Sequence, residues 1–239
     1  MYIGIDLGGT NIAVGVVSDD KQIAATGSRP TLAERPYQQI VQDMAELCKE
    51  VTEGAGYTMS DVQGIGIGSP GTVDSEGGVI VYANNLNWND VPIVAELQKY
   101  YKNIPIVVEN DANAAAYGEY VACGHGRDSF VAITLGTGVG GGIVLNKKIY
   151  RGFNGAGGEL GHITLVHDGE ACTCGRKGCW EVYASVTGLI RQTKAAIAEH
   201  PDSKMADWVR EKGDISGRTA FEAAKAGDEA AQEVVNNYL

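Results

Sequence analysis

The sequence predicts an α/β fold made of two related α/β domains around a cleft, and three observations carry that prediction. Residues 3–24, IGIDLGGTNIAVGVVSDDKQIA, read as strand, glycine turn, strand, and residues 129–150, SFVAITLGTGVGGGIVLNKKIY, restart the same grammar. Short apolar, β-branched runs alternate with stretches of helical periodicity, as in α/β proteins. The 33 glycines are about twice ordinary usage and gather at 64–78, 136–142 and 152–161, so they mark tight turns rather than a flexible linker.

Each element follows from its residues. Residues 2–7 and 12–17 form a hairpin about a GGTN turn, with a third strand expected at 21–27. Over 37–54 the residues Ile40, Val41, Met44, Leu47, Cys48 and Val51 recur on one helical face, and Gly54 ends the helix. VQGIGIGSPG is a strand running into a glycine–proline turn, and GGVIVYANNL is a second extended segment. A short helix is expected from Ile93 to Tyr101, a buried strand in IPIVVEN, and a helix in DANAAAYGEYVA capped by Asn110 or Asp111. Alanine-rich helices are expected at 183–197 and 219–239, with a less regular stretch between them. The domain boundary is expected at a strand-to-helix junction, giving 1–112 and 113–239.

Composition narrows the function. A length of 239 residues favours two domains, and 44% hydrophobic with 21% charged residues excludes whole-chain disorder. A formal net charge of −11 argues against nucleic-acid binding, which needs a basic face. Any anionic ligand must therefore be held by local backbone dipoles and metal ions. The opening MYIGIDLGGT lacks a basic n-region, and no apolar run reaches the ~18 residues of a membrane span, so no membrane association is expected. A reducing cytoplasm is the expected compartment, with Cys48 and Cys123 as buried free thiols on helices.

His162, Cys172, Cys174 and Cys179 stand in the order H-x9-C-x-C-x4-C, one imidazole and three thiols. That donor set suits tetrahedral, borderline-soft Zn²⁺, and Gly175 and Gly178 would let the loop turn tightly around an ion. Buried free cysteines or a disulfide are the alternatives. Four protein ligands would fill the ion's coordination, which makes the zinc structural rather than hydrolytic. The second ring nitrogen of His162 would stay free, with its orientation fixed. His125, His167 and His200 have no such context and are expected on the surface.

Other residues could carry chemistry. DLGGT at 6–10 is either a plain hairpin turn or a cradle of backbone N–H groups for phosphate, with Asp6 able to hold Mg²⁺. LGTGVGGG at 135–142 would be a second cradle, and neither matches a Walker A loop. Asp111 is either a helix cap or a general base that takes a proton from an attacking hydroxyl, as phosphoryl transfer to an alcohol requires. Glu159, His162 and Glu181 could bond the hydroxyls of a sugar.

Taken in order, DLGGT, ENDANAAAYGE, LGTGVGGG, GGELGH and CTCGRKGCWE resemble the bacterial ROK family of sugar kinases and repressors, its glucokinases most of all. The resemblance implies the actin-like, Hsp70-like (RNase H-like) ATPase fold. It also implies ATP-dependent phosphorylation of a hexose 6-hydroxyl, with glucose the expected substrate and N-acetylmannosamine or N-acetylglucosamine the alternatives. On it, Asp6, Gly8, Gly9 and Thr10, with Gly136, Thr137, Gly138 and Gly140, match the family's phosphate motifs. Asp111 matches the catalytic base. Gly71, Asn85 (or Asn84), Asn110, Glu159, His162 and Glu181 match sugar contacts. His162, Cys172, Cys174 and Cys179 match structural zinc ligands. ATP, Mg²⁺ with the nucleotide, structural Zn²⁺ and a homodimer are implied with them.

Members of the family carry a further C-terminal part with an adenosine-binding glycine motif. No apolar strand followed by a GG pair occurs after residue 190, so the second domain is expected to be incomplete. A sugar-binding but catalytically silent protein is the competing expectation. A sugar-responsive repressor is disfavoured, because the first strand begins at residue 2, where a repressor would carry a helix-turn-helix.

Overall fold

The structure is a computed structural model that describes residues 1–123 and 126–239. The chain divides into two compact units, Met1–Ala132 with Gly142–Gly158, and Ile133–Gly141 with Glu159–Leu239. The boundary expected at the strand-to-helix junction, between 112 and 113, is a different division from these units, which keep 113–132 in the first.

The first unit grows from the expected hairpin. Strands β1 (Tyr2–Leu7) and β2 (Asn11–Val17) pair antiparallel from Tyr2↔Val17 to Leu7↔Ile12. Alternation puts Ile3, Ile5, Leu7, Ile12, Val14 and Val16 on the buried face. Strand β3 is Ile23–Pro30, shifted along the chain from the expected 21–27. Lys21 occupies a left-handed turn (φ 65°) whose N–H donates to the Ser18 carbonyl at 2.9 Å, and pairing with β2 persists to Pro30 opposite Asn11. Helix α1 (Tyr37–Gly54) has the expected limits, and all six expected face residues are buried. Burying each such side chain contributes roughly 1.5–3 kcal/mol.

Strand β4 (Ile65–Ser69) lies parallel to β1. The chain then makes a small sheet of β5 (Thr72–Asp74), β6 (Val79–Ala83) and β7 (Trp88–Val91), of which the sequence suggested only the middle. Helix α2 (Ile93–Gln98) stops before the expected Tyr101. The Gln98 amide donates to the carbonyls of Tyr101 (2.5 Å) and Ile104 (3.1 Å), closing the chain back instead of extending the helix. Strand β8 (Ile106–Asn110) adds parallel to β4, giving the order β3-β2-β1-β4-β8. Helix α3 (Asp111–Cys123) follows without a break.

Registers Asp6↔Gly68, Gly68↔Glu109 and Ser69↔Asn110 align the carboxyl ends of the three parallel strands. In open α/β sheets that edge is where ligands bind. Strands β9 (Ser129–Leu135), β10 (Val139–Leu145) and β11 (Lys148–Ile149) form a three-stranded sheet, the echo expected from the sequence.

In the second unit the cysteine loop leads into α4 (Glu181–Ala184) and α5 (Val186–Glu199). The stretch expected to be irregular contains α6 (Lys204–Lys212), whose first turn is capped by Ser203. The single helix expected over 219–239 is two, α7 (Thr219–Lys225) and α8 (Glu229–Tyr238). Gly227 at φ 85° ends the first, and Asp228 caps the second by accepting from Ala231 N–H at 2.8 Å. Leu189, Met205, Ala220, Ala223, Ala231, Val234 and Val235 form the core of these helices. Among the described residues no helix is long and apolar enough to cross a membrane.

Candidate active site

In the first unit the sheet's carboxyl edge gathers Asp6, Asn110 and Asp111. The start of α3 packs against the end of β4: a Cβ on Gly68 would make ordinary contacts, 3.6 Å to the Asp111 Cα and 3.7 Å to the Ala114 Cβ. Asp111 borders solvent, and its Oδ1 accepts from Ala112 N–H at 2.8 Å. Burial of the carboxyl raises its pKa, the Ala112 N–H opposes that, and the like charge of Asp6 raises it again, so it sits above the ordinary carboxylate range. A carboxylate with raised proton affinity at a strand end suits a general base. Of the two expected caps the structure takes Asn110, whose Oδ1 accepts from Asn113 N–H three residues on, and Asp111 is the first residue of α3.

Asn110 bridges two segments. Its Nδ2 donates to the Gly71 carbonyl at 3.1 Å, and its Oδ1 accepts from Asn113 N–H at 3.1 Å. Gly71 is at φ 84°, and a Cβ would run into Tyr82 O, so its loop approaches the strand end as no other residue could. Gly9 lies against Asn85, whose carbonyl would be 2.7 Å from an added Cβ. The Asn84 side chain accepts from Tyr82 Oη at 3.2 Å instead. Asn85 thus stands beside the DLGGT turn while the Asn84 amide oxygen is engaged elsewhere.

The cradle expectation narrows. Gly8 N–H closes the hairpin on Asn11 O at 2.9 Å, and the turn is pinned by Thr31, which donates from Oγ1 to Gly8 O (2.6 Å) and from N–H to Thr10 O (2.9 Å). In the second glycine loop, Gly136 N–H bonds Gly138 O and Val139 N–H bonds Glu181 Oε2, both at 3.0 Å. Those amides are committed within the protein, so phosphate would have to use others of each loop.

The second unit fixes the loop from behind. Val186 N–H donates to Gly136 O (2.8 Å) and Thr187 Oγ1 to Thr137 O (2.7 Å), so α5 holds the turn at its start. A Cβ on Gly138 would strike the Glu181 carboxylate. Glu181 is half-buried, and Glu159 is exposed just before a 3₁₀ turn, Leu160–His162.

The cysteine cluster forms as expected. The donor atoms of His162, Cys172, Cys174 and Cys179 lie within 4.8 Å of one another. His162 Nδ1 is 3.6 Å from Cys172 Sγ, and Cys174 Sγ is 3.6 Å from Cys179 Sγ. Metal–ligand bonds of about 2.0–2.3 Å at tetrahedral angles put such atoms roughly 3.6–3.8 Å apart, so the donor set fits Zn²⁺. Gly175 (φ 86°) and Gly178 (φ 73°) make the two turns, the second against Val166 O. A sulfur separation of 3.6 Å is no disulfide.

Burial raises the Cys174 thiol, but the Arg176 backbone N–H and hydrogen bonds from Cys172, Arg176 and Cys179 bring it down to about 7. Burial, Cys174 and Cys172 push Cys179 up to about 11. The cluster accepts one negative charge easily and resists a second, which is what a dication reverses. His162 Nε2 turns away from the sulfurs toward Glu159 Oε2, at 3.9 Å.

Outside the site, Cys48 is buried and pushed up to about 12 by burial, as an inert core thiol. Cys123 corrects the expectation of a buried thiol: it is exposed, because α3 buries only Asn113 and Ala116. His167 and His200 are exposed as expected, and His125 lies outside the described residues. The sequence reading missed Glu109, Arg151 and Ser75. Glu109 accepts from Arg151 and Ser75 beside the candidate base, and a charge ending the apolar run IPIVV was the available signal.

The ROK family model matches residues 2–239. The chain belongs to the ROK family. It is 38% identical over 238 residues to the glucokinase of Halalkalibacterium halodurans, covering 99% of this chain and 72% of that protein. It is 37% identical over 231 residues to the glucokinase of Thermotoga maritima, covering 96% of this chain and 71% of that protein. Among solved structures, the ROK glucokinase of Streptomyces griseus in complex with glucose and AMPPNP superposes with a TM-score of 0.79 at 38% identity, covering 99% of this chain and 75% of that one. The fold is thus that of the ROK kinases, the actin-like ATPase fold expected from the motifs.

Proposed function

We propose that this ROK protein is an ATP-dependent hexose kinase that converts glucose to glucose 6-phosphate. The observation that carries the reading is Asp111, a carboxylate of raised proton affinity at the carboxyl end of β8, in a chain 38% identical to a glucokinase solved with glucose and an ATP analogue. Asp111 takes the proton from O6 as that oxygen attacks the γ-phosphorus, and the β–γ bond breaks to leave ADP. Asn110, the Gly71 loop and Asn85 are the sugar contacts proposed beside Asp111, and Glu159, His162 through Nε2, and Glu181 are proposed as further hydrogen-bond partners of the hydroxyls.

Gly9 and Thr10 of the DLGGT turn, and Thr137, Gly138 and Gly140 of the second loop, serve the phosphates, while Gly8 and Gly136 close the two turns beside Asp6 and Thr137. Mg²⁺ accompanying the nucleotide would neutralise phosphate charge beside Asp6, whose carboxylate already repels that of Asp111. Zn²⁺ would be held by His162 Nδ1 and the three cysteine sulfurs, ordering the loop that carries His162. The proposal includes a homodimer, a cytoplasmic setting and entry of glucose into glycolysis.

The test is calorimetric titration with glucose and with Mg·ATP, followed by coupled ADP detection over glucose, N-acetylmannosamine, N-acetylglucosamine and fructose. Glucose-dependent turnover supports the proposal. Turnover confined to an amino sugar replaces glucose as substrate, and sugar binding without ATP binding makes the protein a sugar-binding one.

A further inference from the structure

Both oxygens of Glu109 are claimed by donors. Oε1 accepts from Asn110 N–H at 3.1 Å and Asn113 Nδ2 at 3.2 Å. Oε2 accepts from Arg151 Nε at 2.7 Å, from Arg151 Nη2, and from Ser75 Oγ at 3.2 Å. The side chain is only 14% exposed. Asn113, 4% exposed, commits its amide donor to Glu109 and leaves its Oδ1 without a partner among the described residues. Its N–H donates to Asn110 Oδ1, and Asn110 Nδ2 reaches Gly71 O. A closed circuit of hydrogen bonds therefore surrounds the turn that carries Asp111, whose Oδ1 accepts from that turn's Ala112 N–H.

The other half of Glu109 leads to a loop. Gly157 N–H donates to Arg151 O at 2.8 Å, and Gly157 lies so close to Gly152 that a Cβ would stand 2.6 Å from the Gly152 nitrogen. Arg151 is thus the foot of a tight loop, residues 151–157, and its guanidinium is fixed by one carboxylate oxygen. We propose that Glu109 and Arg151 act as a positioning pair, which sets the direction of Asp111 and locks it to the 151–157 loop. The pair touches neither substrate nor nucleotide in this scheme. The inference rests on the kinase reading for its effect on turnover.

The chemistry of the circuit predicts graded variants. Every partner of Glu109 is a donor, so a glutamine amide must confront donors on one side. Buried Asn113 has no solvent alternative, whereas Arg151 is 44% exposed, so Glu109→Gln turns its NH₂ toward Arg151 and breaks that half alone. Glu109→Gln and Arg151→Gln should each lower kcat roughly tenfold with KM for glucose changed less than about threefold, and the double variant should lose no more than either. Glu109→Ala, which also frees Asn113, should lose roughly tenfold more.

Amide hydrogen exchange gives a readout that needs no turnover. Both single variants should speed exchange at 151–158 while β1 and β2 keep their protection. An active wild type with losses that multiply in the double variant, or with unchanged kcat, overturns the pair. An inactive wild type defeats the kinase reading instead, and the exchange then decides: faster exchange at 151–158 supports the pair, unchanged exchange overturns it.

Discussion

Loading the apoprotein with Zn²⁺ should release protons in a number set by the thiols. At pH 7 Cys179, pushed up to about 11, holds its proton, and Cys174, brought down to about 7, is within its titration range. Their conversion to bound thiolates therefore releases about one proton per ion from Cys179 and a further fraction from Cys174. That fraction shrinks as pH rises, so the pair's release falls toward about one proton. Calorimetry in buffers of different ionisation enthalpy measures the number directly, and a chelator competition gives the affinity. Release of fewer than one proton per ion at pH 7, or binding that survives Cys179→Ser unchanged, would refute the three-thiolate site.

Three other expectations concern the site and the helices. Asp111→Asn should cut kcat by about 10²–10⁴-fold with little change in glucose affinity, read by steady-state kinetics and calorimetry. The base works deprotonated, so kcat/KM should fall as pH drops through a value above the ordinary aspartate range. The same raised pKa means the folded state holds this proton more tightly than the unfolded chain. Its contribution to stability is thus present at low pH and lost as pH rises through the folded value, so Asp111→Asn should melt at or slightly above wild type at neutral pH. Gly138→Ala would drive a methyl into the Glu181 carboxylate and break its bond to Val139 N–H, lowering kcat/KM for ATP and glucose with an intact core by circular dichroism. Asp228→Ala removes an N-cap that also binds Lys204 N–H, and should cost about 1–2 kcal/mol in denaturant unfolding; no loss would deny the break between α7 and α8.

How far the sequence could be read depended on how local each feature is. The Tyr2–Val17 hairpin and α1 were legible because alternation and the 3.6 period are set by neighbours in the chain, and the packed face confirms each apolar position. The histidine–cysteine loop was legible because its four donors and its two left-handed glycines share one short stretch. Glu109 was not, since Arg151 stands 42 residues away and only the fold brings them together. Gly227–Asp228 did carry a stop-and-cap signal, but the alanine-rich run around it hid the break. The shift of β3 and the shortened α2 depend on turns closed by Lys21 and by the Gln98 amide, contacts that periodicity does not encode. Asp111 was legible as a residue, while the burial that raises its proton affinity, and the lesser push from the like charge of Asp6, came only from the fold and its strand register.

Incubating the protein with glucose and Mg·ATP while following the phosphorus resonances of nucleotide and sugar decides whether it is a glucose kinase. Equal formation of ADP and glucose 6-phosphate, abolished in Asp111→Asn, is expected. No sugar phosphate, or a phosphate ester at a position other than O6, would contradict it.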